Sequence, residues 1–307
     1  MFREKIPFRQ LCAWLFAGLT PVLIQLLSGC AWTWVAIAGM TGVVLTMLVW
    51  RSGWQPVKWQ CPLLYIYIVI LLGQLLEYVG QSWPKGDSDA VALILLLVAA
   101  WSAWKGPSAA ARTGAVLFWV VLILYLTVFA AGLGDMNWSW MMPRWEPLEG
   151  YGLTVLLIPP AAVCLLGAGQ KRGERLTLPV LFSVIGAFIT AGVLSPEIAK
   201  SVENPFYEMS RSISLLGAAR RFEALISAAM TVGWFALLSL LVSICGRMTQ
   251  VFLPGWGRTG VWVGAAVAAA LRLCGLHIPA FWMTLTGAVF WVVLPLATQG
   301  LVSEKKS

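Results

Sequence analysis

Few side chains in this sequence can do chemistry, and most of those that can sit where polar groups are expensive. Glu77 and Glu223 are carboxylic acids within, or at the mouth of, long apolar runs. An ionisable group in such a place must pair, reach the interface or line a watery cavity. Arg220 precedes Glu223 at an i,i+3 spacing, so the two can pair along one helical face. We expect that structural ion pair to anchor the start of its apolar helix near the outer interface. Glu77 lies near the end of LLGQLLEYVG, beside Gln74 and Tyr78. It either snorkels to the interface or faces the bundle, where a carboxylate serves ion coupling or binds a substrate amine.

A second kind of reactive group is backbone freed from its helix. Gly18-Leu19-Thr20-Pro21 falls inside the first apolar run, where proline removes an amide donor and disfavours helix at Thr20. Such a site is either a plain kink or an interruption at which substrate meets unpaired backbone. Gly150-Tyr151-Gly152-Leu153-Thr154, followed by Pro159-Pro160, is a second candidate for a broken helix. The candidate binding residues for a small molecule are therefore Gly18, Thr20, Pro21, Gln74, Glu77, Tyr78, Tyr151 and Thr154.

Other chemistries lack residues to support them. There is no Gly-rich phosphate loop, HExxH pair, CxxC pair or nucleophile elbow. His277 is the single histidine, and the six cysteines are scattered through or beside apolar segments as small buried thiols. Intramembrane acids are too few and too separated for a two-carboxylate hydrolytic site. No enzyme, cofactor or metal centre is expected.

The elements that must hold these residues are membrane helices. Of 307 residues, 60% are hydrophobic and 11% charged, more apolar surface than a soluble domain can hide. Ten apolar segments approach the ~20 residues of a span: roughly 11–30, 31–50, 61–82, 89–105, 113–132, 150–168, 176–195, 217–245, 259–277 and 279–302. The net charge of +8 is a topology signal. With the N-terminus inside, fourteen basic residues, among them Arg3, Arg9, Arg51, Arg112, Lys171 and Lys306, fall in cytoplasmic segments against Glu4, Glu174 and Glu304. The opposite loops hold eight acids and four bases, which supports ten spans with both termini in the cytoplasm. Leu27-Ser28-Gly29-Cys30 mimics a lipoprotein cleavage box, but another apolar span follows at once, so Gly29 is expected to turn the chain between spans. The eighteen tryptophans are expected mostly at span ends, as an aromatic belt. Arg112 is read as a positive-inside anchor; Arg272 and His277 lie near the outer end of the ninth segment, and His277 is read as a hydrogen-bonded bystander at the interface.

The stretch Asn204-Pro205, Arg211-Ser212-Ile213 and Arg221-Phe222-Glu223-Ala224-Leu225 resembles the B-subunit permeases of spore germination receptors, distant members of the amino acid–polyamine–organocation superfamily. Arg9-Gln10, Arg112, Asp135 and Pro143 fit that resemblance more weakly. It implies a single membrane domain over 1–307 with a 5+5 inverted repeat of the LeuT type, about 11–132 and 150–302. It also implies a nutrient receptor of the endospore inner membrane, binding a small germinant such as an amino acid in the membrane core. Its partners would be an A-type membrane subunit and a C-type lipoprotein, within membrane lipid and without nucleic acid. The sequence departs from the family between Pro143 and Gly150, where the sixth helix looks shortened, and at the short loop 51–60. Two alternatives stand beside this reading: a transporter for an amino acid or amine, proton-coupled through Glu77 or Glu223, and a degenerate structural subunit that binds no ligand.

Overall fold

The structure is a computed structural model that describes residues 6–80, 88–142, 151–168, 177–213, 222–295 and 297. Arg220 lies outside the described residues, as does the side chain of Glu223, so their expected pairing does too; the stretch 143–150 is likewise outside them.

The described chain is almost wholly helical. Its elements are α1 (Phe8–Leu27), α2 (Trp32–Ser52), α3 (Cys61–Gly80), α4 (Ser88–Trp104) and α5 (Pro107–Gly134). Then come α6 (Gly152–Leu156), α7 (Ile158–Leu166), α8 (Thr177–Leu194), α9 (Pro196–Ser201) and α10 (Pro205–Ser212). The last three are α11 (Phe222–Phe252), α12 (Gly257–Leu273) and α13 (Ala280–Ala288), the last running on into a π-helical turn at Val289–Val293. Ile6–Pro7 and Gly167–Ala168 form one short parallel pairing. Six helices, α1, α2, α3, α5, α8 and α11, are long and apolar enough to cross a bilayer. They mark the chain as a membrane protein, and each of the ten expected apolar segments is helical over most of its described residues.

Helix α1 is the most enclosed of the six, packed on α5, α8 and α11. The remaining pairings include α11 on α3, α4, α5 and α12; α12 on α3 and α4; α2 on α7 and α8; and α13 on α6. Helix ends fall into two groups. At one end Phe8 stacks on Trp50, Trp54 meets Trp291, and the Arg258 guanidinium lies over the Trp104 ring. At the other, Asn137 donates its amide to the Gly192 carbonyl, Leu27 meets Gly152, and Arg272 reaches Asp89. Chain segments expected on the same side thus meet.

Of the two readings of the first span, the interruption is absent: α1 runs unbroken through Pro21. Its crossing with α11 depends instead on absent side chains. A Cβ on Gly18 would stand 2.9 Å from the Leu237 amide nitrogen, and one on Gly233 would stand 2.4 Å from Pro21 Cβ. This is the close approach by which small residues let membrane helices pack. Trp14 Nε1 donates to the Ala236 carbonyl at 3.0 Å, and Trp234 Nε1 to Gln25 Oε1 at 2.8 Å. Trp14, Trp234 and Trp291 are core residues, which corrects the aromatic-belt expectation for those three. Trp59, Trp138 and Trp256 lie exposed beside helix ends, as expected, whereas the exposed Trp119 lies within α5.

The sixth segment is broken at Leu157, between the five residues of α6 and the nine of α7. Pro159 and Pro160 supply no amide proton to the carbonyls of Val155 and Leu156, so the i→i+4 ladder lapses there, while Leu157 keeps helical dihedrals and the Val155 carbonyl accepts a capping amide instead. Beyond α8, Ser195 caps α9 by accepting from the Ile198 amide, and Asn204 caps α10 by accepting from that of Tyr207. Prolines 196 and 205 occupy the first helical positions.

Candidate functional site

Helix α1 runs antiparallel to α6 and α7. Leu27 meets Gly152 at one end of that contact and Leu11 meets Gly167 at the other, so Thr20 lies level with the prolines of the break. Thr20 is fully buried, and its hydroxyl has no hydrogen-bond partner among the described residues. An unmatched hydroxyl in an apolar core costs about 1–3 kcal/mol. It stands at the level where the sixth segment also lacks its helical donors.

A second polar group lies toward the outer end. Gln74 on α3 donates through Nε2 to the Leu276 carbonyl at 2.6 Å. Its Oε1 accepts from the Ile278 amide and the Tyr151 hydroxyl, both at 3.0 Å. The Tyr151 hydroxyl also reaches the Ile278 carbonyl. One glutamine and one tyrosine thereby clamp the link between α12 and α13. The Thr154 hydroxyl meets that of Thr284 at 2.7 Å, tying α6 to α13. The Tyr78 ring lies 5.5 Å from that of Tyr151, and its carbonyl accepts from Gln25 Nε2 at 2.9 Å. A continuous chain of contacts therefore runs from Trp234 through Gln25 and Tyr78 to Tyr151 and Gln74.

Glu77 does not join this core. It is 42% exposed and lies 3.8 Å from Arg272 and 3.7 Å from His277 Nδ1. Arg272 also places two nitrogens on Asp89 Oδ1, at 3.0 and 2.8 Å. Glu77 thus belongs to an outer charge cluster joining α3, α4 and α12, of which Arg272 and His277 are members. Gly18 and Pro21 are packing surfaces against α11. Gln74, Tyr78 and Tyr151 meet toward the outer end, with Thr154 three residues further along α6 and Thr20 apart from them, midway along α1.

Sequence reasoning passed over Gln25, Trp234, Thr284 and the 276–278 backbone. Gln25 had the same signal as Gln74, an amide in an apolar run. Trp234 carried no sign that its indole would be hydrogen-bonded internally. Of four cavities along the described residues, none is lined by Thr20, Gln74, Tyr151 or Thr154. One of about 480 Å³ at the outer end is lined partly by Gln25, Lys200 and Glu203. Among the described residues no cluster of His, Cys, Asp and Glu could hold a metal ion.

No known family model matches the chain, and no characterised protein matches it in a sequence comparison.

Proposed function

We propose that this chain is the permease-like, nutrient-sensing subunit of a spore germination receptor, with ten spans in a 5+5 inverted repeat. The repeat is supported by exchanging α1 with α6–α7, α2 with α8, α3 with α11, α4 with α12 and α5 with α13. Under that exchange, α4 on α11 becomes α12 on α3, α3 on α4 becomes α11 on α12, and α1 on α8 becomes α7 on α2. All of these pairings occur, and α2–α8, α3–α11 and α4–α12 map onto themselves, whereas the extensive packing of α1 and α5 on α11 has no comparable counterpart on α3 among the described residues.

The observation that carries the functional reading is the break in the sixth segment, level with the Thr20 hydroxyl, which has no hydrogen-bond partner among the described residues. Broken helices at the repeat interface are where carriers of this kind bind solutes. The germination context, the inner-membrane location and the A-type and C-type partners rest on the residues between 204 and 225. A germinant would bind by replacing the 276–278 backbone on Gln74 and Tyr151, and it can act only by favouring one conformation over another.

The test is the response of spores lacking this chain to amino acids, sugars and nucleosides. Loss of response to one nutrient class, restored by the wild-type chain and not by Thr20→Val or Gln74→Leu, is expected. An unchanged response to every nutrient would contradict the proposal. A structural subunit without ligand is the second reading, favoured by the clamp's satisfaction from the chain's own backbone. Full restoration by both variants would favour it.

A further inference from the structure

A groove of about 520 Å³ opens between α1, α5 and α8 at the end of the bundle where α1 begins. That volume is within the ~300–1,000 Å³ of ligand sites. Its floor is Phe16, 1% exposed, and its walls include Phe118, Trp119 and Leu178. Phe118 packs edge-on against both Phe16 and Trp119, at 4.8 and 5.2 Å between ring centroids. Arg9 is the only ionised group among the described residues of the lining. It is exposed and makes no ion pair or hydrogen bond among the described residues.

Trp119 is 60% exposed and continues into Val116, Val120 and Ile123, an apolar stripe facing away from the bundle. The groove is therefore entered from the side of a membrane helix, and its occupant must be apolar along most of its length. One cation at one end demands an anion at the matching end of that occupant. The same end of the bundle carries Lys58, Lys105, Arg112 and Arg258, whose field draws anionic headgroups to it.

We propose that this groove seats one anionic glycerophospholipid, its phosphate at Arg9 and an acyl chain along Phe16, Phe118 and Trp119. The proposal needs α1, α5 and α8 to be membrane spans and is independent of the nutrient reading. Bound there, the lipid braces α1 against α5 and α8 by filling the space that the three helices leave between them.

The full chain, purified in detergent, is offered equal amounts of phosphatidylglycerol and phosphatidylcholine with the same acyl chains, and bound lipid is counted by native mass spectrometry. Wild type is expected to retain phosphatidylglycerol in preference. Arg9→Gln should lower that preference about fivefold, the effect of one basic group at an anionic surface. Arg9→Lys should keep it, as should Lys58→Gln. Ala13→Phe, which fills the groove, should lose the tightly held lipid of either kind. Arg9 is exposed, so an unchanged melting temperature for Arg9→Gln shows that its fold is intact. Equal retention of the two lipids by wild type, an unchanged preference in Arg9→Gln, or displacement of the lipid by inorganic phosphate would overturn the proposal.

Discussion

The first and sixth apolar segments both carry proline within a run of span length, yet α1 continues through Pro21 while the sixth segment breaks before Pro159 and Pro160. A proline inside a helix costs about 3 kcal/mol, through one lost hydrogen bond and a ring clash. In α1 a single loss is offset by packing on three long helices, and Gly233 of α11 leaves room for the Pro21 ring. In the sixth segment two successive donors are missing, and only nine helical residues follow the break. Whether a proline interrupts a span thus depends on what the facing helix leaves open, as well as on the proline itself.

The comparison can be broken at its rigid side first. Gly233→Leu should cost about 3 kcal/mol or more, because its side chain must displace the Pro21 ring and push α1 and α11 away from each other. Thermal unfolding in detergent reads this, with Gly134→Leu, which meets no atom within 4 Å, as the control. Equal stability of the two variants would mean that the α1–α11 approach does not hold the bundle. The other side is sharpened by replacing both Pro159 and Pro160 with alanine. Each substitution regains up to about 3 kcal/mol of helix propensity, so α6 and α7 should fuse and the two new amides should exchange slowly with solvent. Rapid exchange there would show that the break has a cause besides proline.

Gln74→Leu is expected to cost about 1–3 kcal/mol, because it leaves the Ile278 amide and the Leu276 carbonyl without their partner. Faster hydrogen exchange over 274–279, with α1 unchanged, is the signature. The smallest effect belongs to the outer charges. Arg272→Gln should change stability by at most about 1 kcal/mol, since Glu77 and Asp89 are 42% and 49% exposed. A larger loss in the same melting assay would make that cluster a structural anchor.

Much of the architecture was legible because apolar run length is a direct measure of what a bilayer demands. The prolines at 159 and 160 announced their break, and Gln74, Tyr151 and Thr154 stood out as polar groups in apolar sequence. Pro21 misled because its consequence depends on Gly233, more than two hundred positions away. Glu77 stayed open between two readings for a similar reason: its partner Arg272 comes from the other end of the chain, and the pairing of Arg272 with Asp89 is invisible to local spacing. The Gln74 clamp was half legible, since the glutamine was visible but its partners are backbone groups, which no side-chain pattern reports.

The most direct test of a ligand-responsive clamp is the hydrogen-exchange rate of the Ile278 amide, which donates to Gln74 Oε1. It would be measured in the purified chain with and without amino acids, sugars and nucleosides. One nutrient class should accelerate that exchange by taking the amide's place on Gln74, and the same nutrient should have no effect in Gln74→Leu. An amide equally protected against every nutrient, in a chain whose spores still respond to one of them, would contradict the account.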